Sequence, residues 1–280
     1  MNSALEIFQP GLLDDRTVFI TGGGSGIGRG ICDMLGGLGA KIFIASRNPE
    51  KLGVAVEELS ADGVTADFII ADVRDYEQVE AAIARCAERF GGIDILINNA
   101  AGNFNCPTAE LSPNGWKTVI DIDLNGTFYC CKAAYPHLKA SGHARIISIT
   151  TTLARSGWPQ AAHAGAAKAG IQSLTNALAV EWAPDGILVN SVSPGPIAGT
   201  VGVDKLYIET AILARRLGHQ PMVVIEQADE VDRIIQASEA LGASPFLGIR
   251  AKLSSRSTGR WGSSVGARAK FGLDLTEMLQ

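Results

Sequence analysis

Thr17-Val-Phe-Ile-Thr-Gly-Gly-Gly-Ser-Gly-Ile-Gly-Arg-Gly30 joins a β-prone segment to a helical one through a turn made almost wholly of glycine. Thr17 to Ile20 are strand formers and run straight into the glycines. After Gly28 the apolar spacing becomes helical, with Ile31, Met34, Leu35 and Leu38 on one face. Strand, glycine turn and helix in that order make the phosphate-binding unit of a nucleotide fold. Glycine lets the backbone approach a pyrophosphate, and a helix N-terminus favours its negative charge. The spacing Thr21-Gly22-x-x-x-Gly26-x-Gly28 differs from the commoner G-x-G-x-x-G. A tight strand-to-helix connection alone would use similar residues, so the rest of the chain has to decide.

The downstream pattern repeats the unit. Lys41-Ile-Phe-Ile-Ala-Ser46 is a second strand, and residues 49–59 are helical. Such folds hold the adenosine ribose at the carboxyl end of this strand. An acid there suits the free 2′-hydroxyl of NAD, whereas Arg47, following Ser46, suits the 2′-phosphate of NADP. Residues 65–71 form a third strand, followed by Asp72-Val73. Residues 76–90 form an amphipathic helix with Val79, Ala82, Ile83 and Cys86 inward. Residues 93–98 are a nearly continuous apolar run, as a strand covered on both faces requires. Residues 142–150 and 186–193 read as strands five and six, with a long helix over 159–183 between them. The rhythm predicts an α/β chain with a Rossmann-type, doubly wound parallel sheet in a single domain.

Composition narrows the functions. At 280 residues the chain can bury a substantial core. A net charge of −5 with scattered basic residues argues against nucleic acid. No apolar run reaches the ~18 residues of a membrane span, and the first residues lack the basic and apolar regions of a signal peptide. Five cysteines, Cys32, Cys86, Cys106, Cys130 and Cys131, have no metal spacing and read as reduced thiols. No metal site and a cytoplasmic location are the expectations.

Asn98-Asn-Ala-Ala-Gly102, Pro194-Gly-Pro-Ile197 and the glycine turn fall in an order that resembles the short-chain dehydrogenase/reductase family over residues 12–202. That resemblance implies cofactor contacts from Gly22, Ser25, Gly26, Ile27, Gly28, Ser46, Arg47, Asp72, Val73, Asn98, Ala100, Lys168, Pro194, Gly195 and Ile197. The chain departs from the family at the reacting centre. The usual Tyr-x-x-x-Lys keeps Lys168, but Ala164 stands at the tyrosine position with His163 beside it. Asp123 stands where an asparagine is usual, and the usual serine falls near residues 150–152. A carbonyl reductase needs the phenol to protonate an alkoxide. Reduction of a carbon–carbon double bond conjugated to a thioester needs only an oxyanion site and a proton for carbon.

Five segments narrow the resemblance to peroxisomal-type 2,4-dienoyl-CoA reductases: Ala101-Gly-Asn-Phe-Asn-Cys-Pro107, Asp121-Ile-Asp123, His163-Ala-Gly-Ala-Ala-Lys168, Ala179-Val-Glu-Trp182 and the run from Pro194 to Thr200. Phe8-x-Pro-Gly-Leu-Leu13 fits the same branch. The resemblance implies NADPH delivering hydride to C5 of a 2,4-dienoyl-CoA, charge moving to the thioester oxygen, and a proton at C4 giving a 3-enoyl-CoA. Asp123 and Lys168 are then the catalytic pair, acting through a water. Arg74, Phe104, Thr150 and His163 lie on the acyl-CoA side, and a homo-oligomer is expected. A 2-enoyl thioester reductase with His163 as acid, and a catalytically silent NADP-binding subunit, are the alternatives. After Ser244 the composition turns to Arg, Ser and Gly, and the family's late strand is missing. Residues 1–244 are therefore read as the reductase domain and 245–280 as a divergent or frame-shifted tail.

Overall fold

The computed structural model describes residues 7–152, 154, 157–195, 201–216, 218, 220, 222–225 and 230–249. The chain divides into two compact units, Met1–Gly195 and Pro196–Gln280. In the first, strands β1 (Thr17–Thr21), β2 (Lys41–Ser46), β3 (Ala66–Ile70), β4 (Ile95–Asn98), β5 (Arg145–Ile149) and β6 (Leu188–Val192) form one sheet in the order β3-β2-β1-β4-β5-β6. Every pairing in it is parallel. The helices are α1 (Gly26–Gly37), α2 (Pro49–Ala61), α3 (Tyr76–Phe90), α4 (Pro113–Ile120), α5 (Gly126–Ser141) and α6 (Ala162–Glu181).

The strands are apolar throughout because both faces are covered. Alternate residues serve different cores. Val18, Ile20, Ile42, Ile44, Ile95 and Ile97 pack beneath α1 and α2 with Cys32, Leu52 and Leu59. Phe19, Phe43, Leu96 and Ile146 face α3, α5 and α6, meeting Ile83, Cys130, Leu138 and Leu178. Phe19 and Phe43 are paired in register and their rings stack at 6.0 Å. The helix starts are encoded locally: Asn48 accepts from the Lys51 N–H ahead of Pro49, and Asp75 accepts from the Glu77 and Gln78 N–H groups. The buried line of α1 runs through Gly28, Cys32 and Gly36, slightly rotated from the expected Ile31–Leu38 face.

The strand order reverses between β1 and β4, and the crevice at their carboxyl ends is where such a sheet takes a ligand. Between α4 and α5 the helix widens into a π-turn, Asp121–Asn125, with the Gly126 N–H reaching back to the Asp121 carbonyl. Such single π-turns cluster at functional sites. Among the described residues no helix is long and apolar enough to cross a membrane.

The second unit holds α7 (Val201–Arg216), β7 (Met222–Ile225), α8 (Glu230–Leu241) and β8 (Phe246–Ile249). β7 and β8 pair in parallel, and Ile208, Ile212 and Ile234 are its buried core. The sequence reading had no strand after Ser244. The structure places one at Phe246–Ile249, too short and too glycine-broken to stand out until it pairs with Met222–Ile225. Ile197 and residues 250–280, which make up most of the expected tail, lie outside the described residues.

Candidate active site

The glycine turn is locked to the end of β4. Thr21 Oγ1 accepts from the backbone N–H of Asn99 at 3.1 Å and of Ala100 at 3.0 Å. The Asn99 amide donates to the carbonyls of Thr21 and Gly22 at 3.0 and 3.1 Å. A Cβ on Gly28 would lie 2.4 Å from the Gly22 carbonyl oxygen and 2.5 Å from Asn99 Nδ2, so only glycine fits. Ser25, at the N-cap of α1, is exposed and its side chain makes no cap bond, while the first turn carries no acid. This open N-terminus beside Gly26 and Ile27 is the arrangement that a pyrophosphate requires. The chain's own residues therefore fit a nicotinamide dinucleotide.

The ribose end is built at the tips of β2 and β3. Ser46 is half-buried and Arg47 exposed. The Arg74 guanidinium donates to both Asp72 carboxylate oxygens, Nε at 3.0 Å and Nη2 at 2.6 Å. These bonds, with help from the Arg47 charge, hold the Asp72 carboxyl below the usual range. Arg74, expected on the acyl-CoA side, is held by Asp72 in this structure. Val73 is buried, and Pro194 and Gly195 follow Ser193 just past the end of β6.

Asp123, Lys168, His163, Phe104 and Gly102 converge at the β4–β5 end of the crevice. Asp123 is 1% exposed. Its Oδ1 accepts from the Gly102 N–H at 2.7 Å, and its Oδ2 lies 3.3 Å from Lys168 Nζ. Lys168 Nζ also donates to the Ile149 carbonyl at 3.0 Å. Burial pushes the Asp123 carboxyl above the ordinary range, opposed by the Lys168 charge, the Gly102 amide and His163. A Cβ on Gly170 would meet the Leu124 side chain at 2.8 Å, so this glycine lets α6 approach the π-turn and brings Lys168 to Asp123. His163 is fully buried, with Phe104 set edge-on to its ring at a centroid distance of 4.6 Å.

Two expected site residues also make bonds within the fold. Thr150 donates its hydroxyl to the Val192 carbonyl at 3.1 Å, tying β5 to β6. Asn98 donates to Ser148 Oγ at 3.2 Å and Cys131 Sγ at 3.4 Å beneath the site. Its neighbour Asn99, which the sequence reading did not single out, makes the latch to the glycine turn. The contributions of the Gly102 N–H and the Ile149 carbonyl have no side-chain signal to read. Cys32, Cys86, Cys130 and Cys131 are free and buried, and burial raises each thiol's pKa, to about 12 for Cys32 and Cys131. Among the described residues no group of His, Cys, Asp and Glu is placed to hold a metal ion.

Comparison with known proteins agrees with this geometry. Residues 16–209 match the short chain dehydrogenase family. The chain is 46% identical over 215 residues to a peroxisomal 2,4-dienoyl-CoA reductase, (3E)-enoyl-CoA-producing, of Danio rerio, covering 75% of this chain and 72% of that one. It is 39% identical over 222 residues to a probable 2,4-dienoyl-CoA reductase, (2E)-enoyl-CoA-producing, of Bacillus subtilis, covering 78% and 87%. A short chain dehydrogenase structure from Bacillus anthracis superposes with a TM-score of 0.64 at 37% identity, over 84% of this chain and 94% of that one. With the sheet order, the glycine latch and the retained lysine already in place, these likenesses make the chain a member of the short-chain dehydrogenase/reductase family.

Proposed function

We propose that this enzyme reduces a 2,4-dienoyl-CoA to a 3-enoyl-CoA with NADPH, a step in the breakdown of unsaturated fatty acids. The observation that carries the reading is the buried Asp123–Lys168 pair, 3.3 Å apart, in a site whose tyrosine position, the phenol of a carbonyl reductase, is held by Ala164. NADPH would be held by the glycine turn, the N-terminus of α1 and Arg47, and when bound it supplies hydride to C5 of the acyl chain. The chain's own residues handle the charge and the proton. Two of the three Lys168 N–H groups are engaged by Ile149 and Asp123, which fixes the ammonium in the site. Burial raises the Asp123 carboxyl above the ordinary range, so it keeps its proton to a higher pH than an exposed carboxyl does, as a proton donor needs.

Electron counting corrects one expectation. Addition at C5 moves the electrons through C4, C3 and C2 to the thioester oxygen. A proton at C4 would then leave the double bond between C2 and C3, a 2-enoyl product. A 3-enoyl product requires the proton at C2. The test is oxidation of NADPH by a 2,4-dienoyl-CoA in heavy water, with the product examined by mass spectrometry and NMR. Turnover with solvent deuterium at C2 is expected; no NADPH oxidation with any 2,4-dienoyl-CoA would end the reading.

A homo-oligomer belongs to the same proposal. Phe128 on α5 and Val180 on α6 are 44% and 80% exposed, surface that a second copy would cover, and light scattering of the purified protein tests it. The four buried free thiols support a reducing compartment, and we place the enzyme in the cytoplasm on that ground.

A further inference from the structure

Among the described residues neither ring nitrogen of His163 has a hydrogen-bond partner, although the residue is fully buried. An imidazole carries a donor at one nitrogen and an acceptor at the other, and burying both unpaired loses hydration without return. Native structures rarely tolerate this unless water, an ion or a reacting group completes the bonding. His163 lies within electrostatic reach of Asp123, so its unpaired nitrogens belong to the reacting centre. Its cover is Phe104, which is 42% exposed. The backbone on either side of Phe104 is tied down: the Gly102 N–H donates to Asp123 at 2.7 Å, and the Cys106 N–H to the Gln160 carbonyl at 2.9 Å. Between those ties Asn103, Phe104 and Asn105 are all exposed. The aromatic cover therefore rides on a short surface span that can move without breaking either tie.

We infer that His163 is the hydrogen-bond donor to the thioester carbonyl oxygen of the acyl-CoA, reached when Phe104 swings off the imidazole. This rests on the proposed function and deepens it. As electrons arrive from C5, the C1–oxygen double bond opens and the negative charge settles on the oxygen, where the imidazole N–H holds it. When the carbonyl re-forms, the electron pair between C1 and C2 takes the proton delivered from the Asp123–Lys168 side. His163 keeps its own proton throughout and so acts as an oxyanion donor, not as the acid.

The binding test compares hexanoyl-CoA with S-hexyl-CoA, a thioether without the carbonyl, by calorimetry on NADP⁺-loaded enzyme. Wild type should prefer the thioester by about fivefold to tenfold, the worth of one neutral hydrogen bond. His163→Leu should abolish that preference and His163→Gln, which keeps a donor, should recover part of it. With a 2,4-dienoyl-CoA, His163→Leu should lose on the order of a hundredfold or more in kcat. Phe104→Ala should expose His163 to diethyl pyrocarbonate, so that its modification, located by mass spectrometry, is at least about tenfold faster than in wild type. A folded His163→Leu protein that keeps the wild-type thioester preference overturns the inference, as does a Phe104→Ala protein whose His163 is no more reactive. If wild type turns over dienoyl-CoA while either of those results holds, this inference fails alone. If wild type neither turns it over nor binds hexanoyl-CoA, the proposed function fails with it.

Discussion

Replacing Asp123 by Asn separates the chemistry of the site from its architecture. The carboxylate lies 3.3 Å from Lys168 Nζ and is 1% exposed. At an effective dielectric of ~20 the gross attraction is about 5 kcal/mol. Desolvating each ion costs several kcal/mol, and burial outweighs the attraction at Asp123, because its carboxyl is raised rather than lowered. Removing the charge therefore loses much less than the gross figure. Asparagine can still accept from the Gly102 N–H through its carbonyl, but its NH₂ then faces the ammonium. A loss of about 1–3 kcal/mol in urea unfolding is expected. Asp123→Leu leaves both Lys168 and the Gly102 N–H without their partner, and about 3–5 kcal/mol is expected. Turnover of a 2,4-dienoyl-CoA should fall by roughly 10²–10⁴ in either variant, the worth of a positioned proton donor. NADPH affinity should move by less than about threefold, because Asp123 bonds to Gly102 and Lys168 and not to the glycine turn. Asp123→Asn protein that folds, binds NADPH and turns over within about tenfold of wild type would refute the assignment.

Three further outcomes follow from the geometry. Gly28→Ala drives a methyl group to 2.4 Å from the Gly22 carbonyl, so the turn must shift; about 1–3 kcal/mol of stability should go and NADPH titration should weaken more than tenfold, whereas unchanged binding would place the cofactor elsewhere. Arg47→Ala should weaken NADPH by about 1.5–3 kcal/mol and leave NADH unaffected, and equal losses for the two cofactors would remove Arg47 as the 2′-phosphate contact. The raised Asp123 carboxyl gives a pH signature: above the ordinary aspartate value, about 4, the unfolded chain has released the proton and the folded chain still holds it, so stability falls as pH rises through that window. The difference in unfolding free energy between wild type and Asp123→Asn should shrink in the same direction, and a difference that grows with pH would mean that the carboxyl is lowered in the fold.

The sheet was legible because its chemistry is one-dimensional. Runs such as Lys41–Ser46 and the helix Tyr76–Phe90 are delimited by apolar period and by caps next to them in sequence, and both were placed to the residue. Asp123 and Lys168 were found through family resemblance at their positions, and the structure brings them together. What escaped the sequence was relational. Asn98 and Asn99 are chemically identical neighbours, and only the pleat decides which points at the glycine turn. The π-turn at Asp121–Asn125 has no residue signature, because it arises from one extra residue in a turn. The strand pair of the second unit needed each partner to reveal the other. That His163 finds no partner among the described residues is invisible in any string of letters, since it is a statement about what does not surround it.

The relatives differ in the product that their names give, a (3E)-enoyl-CoA for the Danio rerio protein and a (2E)-enoyl-CoA for the Bacillus subtilis one. Both products descend from the same delocalised anion, so the choice is geometric. C2 is two bonds from the thioester oxygen and C4 is four. A site that anchors the oxygen next to its proton source reaches C2 first; one that separates them along the acyl chain reaches C4. In this chain Asp123 and His163 are both buried, and Asp123 lies within the electrostatic reach of both Lys168 and His163. If the oxygen is anchored at His163 as proposed, the proton would go to C2 and the product would be the 3-enoyl-CoA. If the imidazole does not hold the oxygen, this ground for preferring C2 over C4 is lost. Product identity in the His163 variants therefore reports on oxyanion placement directly. A shift toward 2-enoyl product when the donor is removed would tie the regiochemistry to that one side chain.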